Sequence, residues 1–270
     1  MPQEIAPLLR WSGSKAKLLP ALENSAPKNY QNYIEPFAGS AALYFKIQPK
    51  ASILGDINSS VVALYQAVAE NPEKVHEHLA SFRLDSNGYY SARSMDTSAM
   101  TTHERAARLI FLMKGCFNGV YRTNKSGQFN VPMGSRIYAL PSRENLLAAA
   151  ELLSGAHFIS GDFLHSLAFA KRGDFTYLDP PYPSNGRYRG EYGYDGNFDQ
   201  AQLRRLLDLM HDMDSRGVHV MFSYVQDSLV EKELANWQWR YESVPRSVAG
   251  SAKFRTRAKE VIITNYRDNM

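Results

Sequence analysis

Tyr33-Ile34-Glu35-Pro36-Phe37-Ala38-Gly39-Ser40 and, a little further on, Ala51-Ser52-Ile53-Leu54-Gly55-Asp56 decide how this chain is read. Residues 33–37 and 51–56 are short runs rich in strand formers, bounded by turn-forming or acidic residues. Between them the periodicity predicts a helix from about Ser40 to Lys46. After them Asn58 is placed to cap a helix over residues 59–70, which Asn71-Pro72 ends. Strand, helix, strand, helix is the pattern of an α/β sheet with right-handed crossovers.

The pattern then breaks and resumes. Residues 72–155 predict mainly helix, with polar, glycine-containing loops at 85–102 and 123–136. Strand signals return at 157–160, 175–178 and 218–222, and residues 260–266 predict a last strand. Residues 200–216 predict an amphipathic helix with Leu203, Leu206, Leu207 and Met210 on one face. The expected organisation is a discontinuous sheet-bearing domain, residues 1–70 and 155–270, with a helical unit, residues 71–154, inserted between the second and third strands.

Composition narrows the classes. A chain of 270 residues can bury a sizeable core. No run approaches the roughly 18 consecutive apolar residues of a membrane span, and Met1-Pro2-Gln3-Glu4 lacks the basic-then-apolar pattern of a secretory signal. Cys116 stands alone, so no internal disulfide is expected and a cytoplasmic setting fits. The net charge of +4 says less than its distribution. Arg105 to Arg143 contains no acidic residue but carries Arg105, Arg108, Lys114, Arg122, Lys125, Arg136 and Arg143. Arg240, Arg246, Lys253, Arg255, Arg257 and Lys259 crowd together later, against Glu242 alone. Two such tracts could grip a phosphate backbone from two sides; a solvated basic surface is the plain alternative.

Three places carry chemistry. Small residues at 38–40 let a ligand approach the backbone, and the following helix would favour an anionic group at its amino end. Asp56, at the end of a predicted strand, suits either ribose hydroxyls or the first turn of the next helix. Asp179-Pro180-Pro181-Tyr182 follows the strand 175–178. Its prolines remove two backbone donors and leave carbonyls free to accept. A carboxylate and a carbonyl side by side can take both hydrogens of a planar amine, which favours a pyramidal nitrogen with its lone pair exposed. Tyr182 adds a flat surface on which an extruded base could stack. A merely structural Pro-Pro turn is the alternative. No metal is expected: His76 and His78, two apart on a predicted helix, would not share a face.

Taken in order, these stretches resemble the Dam-type (class alpha) family of DNA adenine-N6 methyltransferases over about residues 8–266. Arg10-Trp11-Ser12-Gly13-Ser14-Lys15 is similar to the family's opening motif, although Ser12 and Ser14 stand where Ala and Gly are common. The resemblance implies a Rossmann-like S-adenosylmethionine-dependent methyltransferase fold of α/β class with an inserted helical target-recognition domain. It implies catalysis by Asp179, Pro180, Pro181 and Tyr182. S-adenosylmethionine would be bound by Trp11, Lys15, Glu35, Pro36, Phe37, Ala38, Gly39, Ser40, Asp56, Ile57, Asp162, Phe163 and Asp179. Phe117 to Arg122 and Gly127 to Gly134 resemble the recognition segment, with Asn118, Arg122, Lys125, Asn130, Pro132 and Arg136 expected on double-stranded DNA. Within it Arg122 is the expected reader of guanine, with a contact to the backbone alone as the alternative, while Lys125 and Arg136 are expected on phosphates. The expected target is a short duplex site, GATC first and a related palindrome next. Val120 replaces the larger apolar residue typical of GATC enzymes, and residues 183–198 depart from the family pattern. The expected protein is cytoplasmic and DNA-associated, a monomer or weak dimer, with a cognate restriction endonuclease as a potential partner.

Other classes fit less well. An RNA or protein methyltransferase more often begins the tetrapeptide with Asn and lacks the inserted segment. A nicotinamide dehydrogenase would carry a Gly-x-Gly-x-x-Gly turn, which is missing. A DNA-binding protein without catalysis would not need Trp11, Lys15, Asp56, Asp179 and Tyr182 together.

Overall fold

Neighbouring residues of each central strand point to opposite sides and enter different apolar clusters, so the sheet must be covered on both faces. Tyr33, Tyr177, Met221 and Ile262 belong to one cluster. Their neighbours Ile34, Leu178, Phe222 and Ile263 belong to the other. The computed structural model describes residues 4–182, 198–245 and 257–267. Within these, β1 (Tyr33–Glu35), β2 (Ser52–Asp56), β3 (Ala156–Ser160), β4 (Phe175–Leu178), β5 (His219–Val225), β6 (Gln238–Pro245) and β7 (Arg257–Thr264) form one sheet. The strand order is β3-β2-β1-β4-β5-β7-β6. The first five strands run parallel, while β7 enters antiparallel between β5 and β6.

Ten helices are described: α1 (Leu19–Ser25), α2 (Ala42–Ile47), α3 (Ser59–Glu70), α4 (Pro72–Ala80), α5 (Ser86–Ser94), α6 (Thr102–Gly115), α7 (Arg143–Leu153), α8 (Phe163–Leu167), α9 (Gln200–Ser215) and α10 (Ser228–Glu233). Asn58 caps α3 by accepting from the Ser60 amide, as its type and place predict. Asn71 ends that helix and caps α4, whose first residue is Pro72. The apolar face of α9 is buried at Leu203, Leu206, Leu207 and Met210. Helices α4 to α7 lie between β2 and β3 in the chain. Their buried Val75, Leu79, Tyr89, Ile110 and Leu146 share the cluster that covers Tyr33 and Tyr177. Among the described residues, no helix is long and apolar enough to cross a membrane.

Three local departures from the sequence reading have a physical reason in the structure. Residues 86–94, expected as loop, form α5 despite containing Gly, Ser and Asn. Three long-range or capping contacts hold it: the Asp85 cap on the Gly88 amide, the fully buried Tyr89, and Arg108, which donates to the carbonyls of Ala92 and Arg93. Helix α2 starts at Ala42, two residues later than expected, because Ala41 takes a left-handed conformation with φ 49°. Strand β6 was not expected. It is an edge strand carrying Arg240 and Glu242, and an edge does not need a continuous apolar pattern.

The sheet and α8 approach closely at Gly55. A Cβ built there would lie 2.1 Å from the Ser166 hydroxyl and 3.2 Å from its Cβ. Gly55→Ala is therefore expected to destabilise the protein by about 1–3 kcal/mol through overpacking. Adding Ser166→Ala should recover part of that loss, as read by chemical denaturation of the single and double variants. A Gly55→Ala protein as stable as the wild type would show that α8 yields freely.

Candidate active site

Strand β1 lies between β2 and β4, so whatever stands at their carboxyl ends must converge. Glu35 ends β1, Asp56 ends β2 and Asp179 follows β4. Together with Trp11, Lys15, Phe37 to Ser40, Ile57, Tyr177 and Pro180 to Tyr182 they line a partly open cleft.

The turn after β1 is shaped for this. Gly39 has φ +47°, and a Cβ on it would lie 3.0 Å from the Trp11 indole. The Gly39 amide donates to Asp56 Oδ2 at 2.8 Å, and its carbonyl accepts from the buried Tyr65 hydroxyl at 2.7 Å. The amino end of α2 thus lies beyond the turn, and the Gly39 amide is taken by a protein carboxylate.

Asp56 accepts a second backbone bond, from the Asn58 amide to Oδ1 at 2.8 Å. It both steadies the start of α3 and faces the cleft, so the two readings of this residue describe the same position. Burial pushes its carboxyl up to about 6, against the pull of the two amide bonds. Glu35 lies deeper. Burial holds its carboxyl well above the ordinary range, with Asp179 and Asp56 pushing the same way and the Tyr33 hydroxyl, 2.8 Å from Oε2, opposing.

Lys15 is the cation of the cleft. Its ammonium lies 2.8 Å from Asp179 Oδ1 and 3.9 Å from Glu260, donates to the Gly13 carbonyl at 3.2 Å, and sits 4.8 Å from the Tyr182 ring centroid. Burial alone would lower its affinity for a proton, but Asp179, Tyr182 and Glu260 outweigh it and hold the ammonium charged. The Tyr182 ring, in turn, meets Tyr224 edge-on at 5.4 Å.

Three residues expected at the cofactor are not among those lining this cleft. Asp162 does not line the cleft: it caps α8 through the Leu164 amide and is gripped by both terminal nitrogens of Arg205. Phe163 packs behind Phe37, with ring centroids 5.5 Å apart, and Pro36 also lies outside the lining. Conversely, Tyr177, Ser223 and Glu260 join the site without having been singled out. Ser223 sits in an apolar strand, and only the pairing of β4 with β5 brings it beside Asp179.

The segment expected on DNA adjoins the cleft. Ser12 donates its amide to the Gly119 carbonyl at 2.7 Å, joining the two loops. A short turn, Phe117–Gly119, precedes a tight loop crossed by bridges between Cys116 and Met133 and between Thr123 and Phe129. Asn118 sits within the turn at φ 52°. Lys125 is exposed at the loop tip, and Pro132 is exposed while its carbonyl takes the Phe117 amide. Arg122 donates from Nε to Asn130 Oδ1 at 2.7 Å, and Arg136 lies over the Tyr138 ring at 4.5 Å.

Several cations of the first basic tract prove structural. Arg108 is buried on α5 carbonyls, Lys114 donates to the Pro7 carbonyl, and Arg143 pairs with Glu73. Three of the seven cations named in that tract are thus engaged within the protein itself. Arg246, Lys253 and Arg255 of the second tract, like most of loop 183–198, lie outside the described residues.

A family model described as D12 class N6 adenine-specific DNA methyltransferase matches residues 11–247. The chain is 34% identical to the Type II methyltransferase M1.LlaDCHI of Lactococcus lactis subsp. cremoris, covering 97% of this chain and 96% of the relative. It is 34% identical to the Type II methyltransferase M.MjaIII of Methanocaldococcus jannaschii, covering 82% and 84%. It is 29% identical to the DNA adenine methylase of Haemophilus influenzae, covering 95% and 92%.

Proposed function

This chain belongs to the D12 class of N6 adenine-specific DNA methyltransferases, and we propose that it draws its methyl group from S-adenosylmethionine in the Trp11–Asp179 cleft and modifies adenine in a short duplex site, GATC first. The single observation that carries the reading is the convergence of Glu35, Asp56 and Asp179 on one cleft beside the Trp11 indole. Asp56 and Asp179 against one ammonium, with a buried Glu35 beside them that a positive charge would help ionise, favour a cationic guest. When bound, S-adenosylmethionine supplies an activated methyl group on a positively charged sulfur.

The chain's own residues then have separable tasks. Asp56 accepts hydrogen bonds from ribose hydroxyls with the lone pairs its amide donors leave free. Trp11 and the turn at 37–40 wall the cofactor, with Lys15 balancing the carboxylates. Asp179 and the Pro180 carbonyl accept the hydrogens of the adenine amine and aim its lone pair. Tyr182, held by Lys15 and Tyr224, gives the extruded base a fixed plane. Residues 71–154 serve as the target-recognition unit: Arg122 reads guanine, Asn118 and Pro132 face the bases, and Lys125 and Arg136 hold phosphates. Relatives named Type II methyltransferase support a cognate restriction endonuclease as partner.

Methylation of a randomised duplex library tests both halves of this reading. Asp179→Ala should lower single-turnover transfer by at least about 10²–10³-fold while duplex binding survives. Arg122→Ala should relax preference at one base position, costing about 1–3 kcal/mol there. Substantial turnover by the first variant would overturn the chemistry. Uniform slowing with unchanged preference in the second would move Arg122 to the backbone.

Asp56 makes cofactor affinity depend on pH. Its carboxyl in the free protein is pushed up to about 6, so below that pH it is protonated and the ligand must displace the proton. Affinity should hold above about pH 7 and fall nearly tenfold per unit below about pH 6. Isothermal titration between about pH 5 and 8 should show this, and Asp56→Asn should bind weakly with a flatter profile. A wild-type dissociation constant flat across that range would contradict the assignment.

A further inference from the structure

The geometry points to Ser223 and Tyr177 as positioning residues that hold the Asp179 carboxylate so that Oδ2 receives the target amine. This rests on the reading of Asp179 as the amine's acceptor.

Ser223 Oγ lies 3.0 Å from Asp179 Oδ1 and 3.0 Å from the Tyr177 hydroxyl. An ionised carboxylate carries no hydrogen, so Ser223 must give Asp179 its only one. The Ser223 oxygen is then an acceptor, and Tyr177 must be its donor. The direction of both bonds follows: Tyr177 to Ser223 to Asp179. The Leu178 carbonyl, 3.5 Å from Ser223 Oγ, is the competing acceptor, and Tyr177 helps set the rotor against it.

The same carboxylate oxygen also takes Lys15 Nζ, at 2.8 Å. Two donors therefore converge on Oδ1, and no described residue donates to Oδ2. That fixes the carboxyl plane and leaves one oxygen for the substrate. Ser223 and Tyr177 are both buried on paired strands, so the relay belongs to the rigid sheet and not to a loop. Ser223 touches no reacting atom in this scheme; it acts through Asp179.

The test is a cycle of Ser223→Ala, Tyr177→Phe and the double variant, read by single-turnover transfer at saturating DNA and S-adenosylmethionine, with both dissociation constants measured. Ser223→Ala should slow transfer on the order of 10²-fold, as misplacement of a catalytic group does. Tyr177→Phe, which keeps the packing, should slow it about three- to tenfold. The double variant should be no slower than Ser223→Ala, because Tyr177 acts only through Ser223. Cofactor and duplex affinities should stay unchanged throughout. If Ser223→Ala fails to fold, Tyr177→Phe alone decides: slower transfer at unchanged affinities supports the relay, and a wild-type rate overturns it. Wild-type transfer by Ser223→Ala, multiplicative losses in the double variant, or losses confined to affinity would each overturn the assignment. Turnover by Asp179→Ala would instead defeat the underlying reading, so the two failures are distinct.

Discussion

The ion pair between Lys15 and Asp179 is the contact on which the rest of the site depends. Three adjacent parallel strands deliver Glu35, Asp56 and Asp179 to one place, where burial disfavours the charges of Glu35 and Asp56 and the two aspartates also repel that of Glu35. A buried ammonium 2.8 Å from one of them offsets that cost, and the rest is met by local bonds. Asp56 rests on two backbone amides, and Glu35 on a tyrosine hydroxyl. Each acid thus has a different neighbour, and each can serve a different task in one cleft.

Lys15 also joins parts that are remote in the chain. Its loop borders the indole that packs on Gly39, and the amide of Ser12 bonds to Gly119 in the segment proposed to meet DNA. The cleft wall, Asp179 and the loop at 117–136 therefore all meet a single short stretch, residues 11–15. Duplex docking against residues 117–136 would bear directly on the loop that holds Asp179. The helices of residues 71–154 share an apolar cluster with the sheet, which makes this a stiff connection rather than a tethered one.

Much of the fold was legible because its signals are local. The runs at 33–37, 51–56 and 175–178 are buried on both faces, and such strands announce themselves as short apolar runs. The caps at Asn58 and Asn71 act within a few residues of themselves. What escaped depends on contacts distant in sequence. Helix α5 owes its end to Arg108, and the edge strand β6 needs only one partner.

The site divides along the same line. The sequence alone determined which chemical groups stand at the strand ends, since Glu35 to Ser40, Asp56 and Asp179 to Tyr182 are contiguous runs with their own turn chemistry. Only the tertiary structure decided what those groups face. It turned Asp162 toward Arg205, spent Arg108 and Lys114 on backbone carbonyls, and brought Ser223 and Tyr177 to Asp179. A hydrogen bond acts over about 3 Å of space whatever the separation along the chain. Strand order sets that spatial neighbourhood, and residue spacing alone does not encode it.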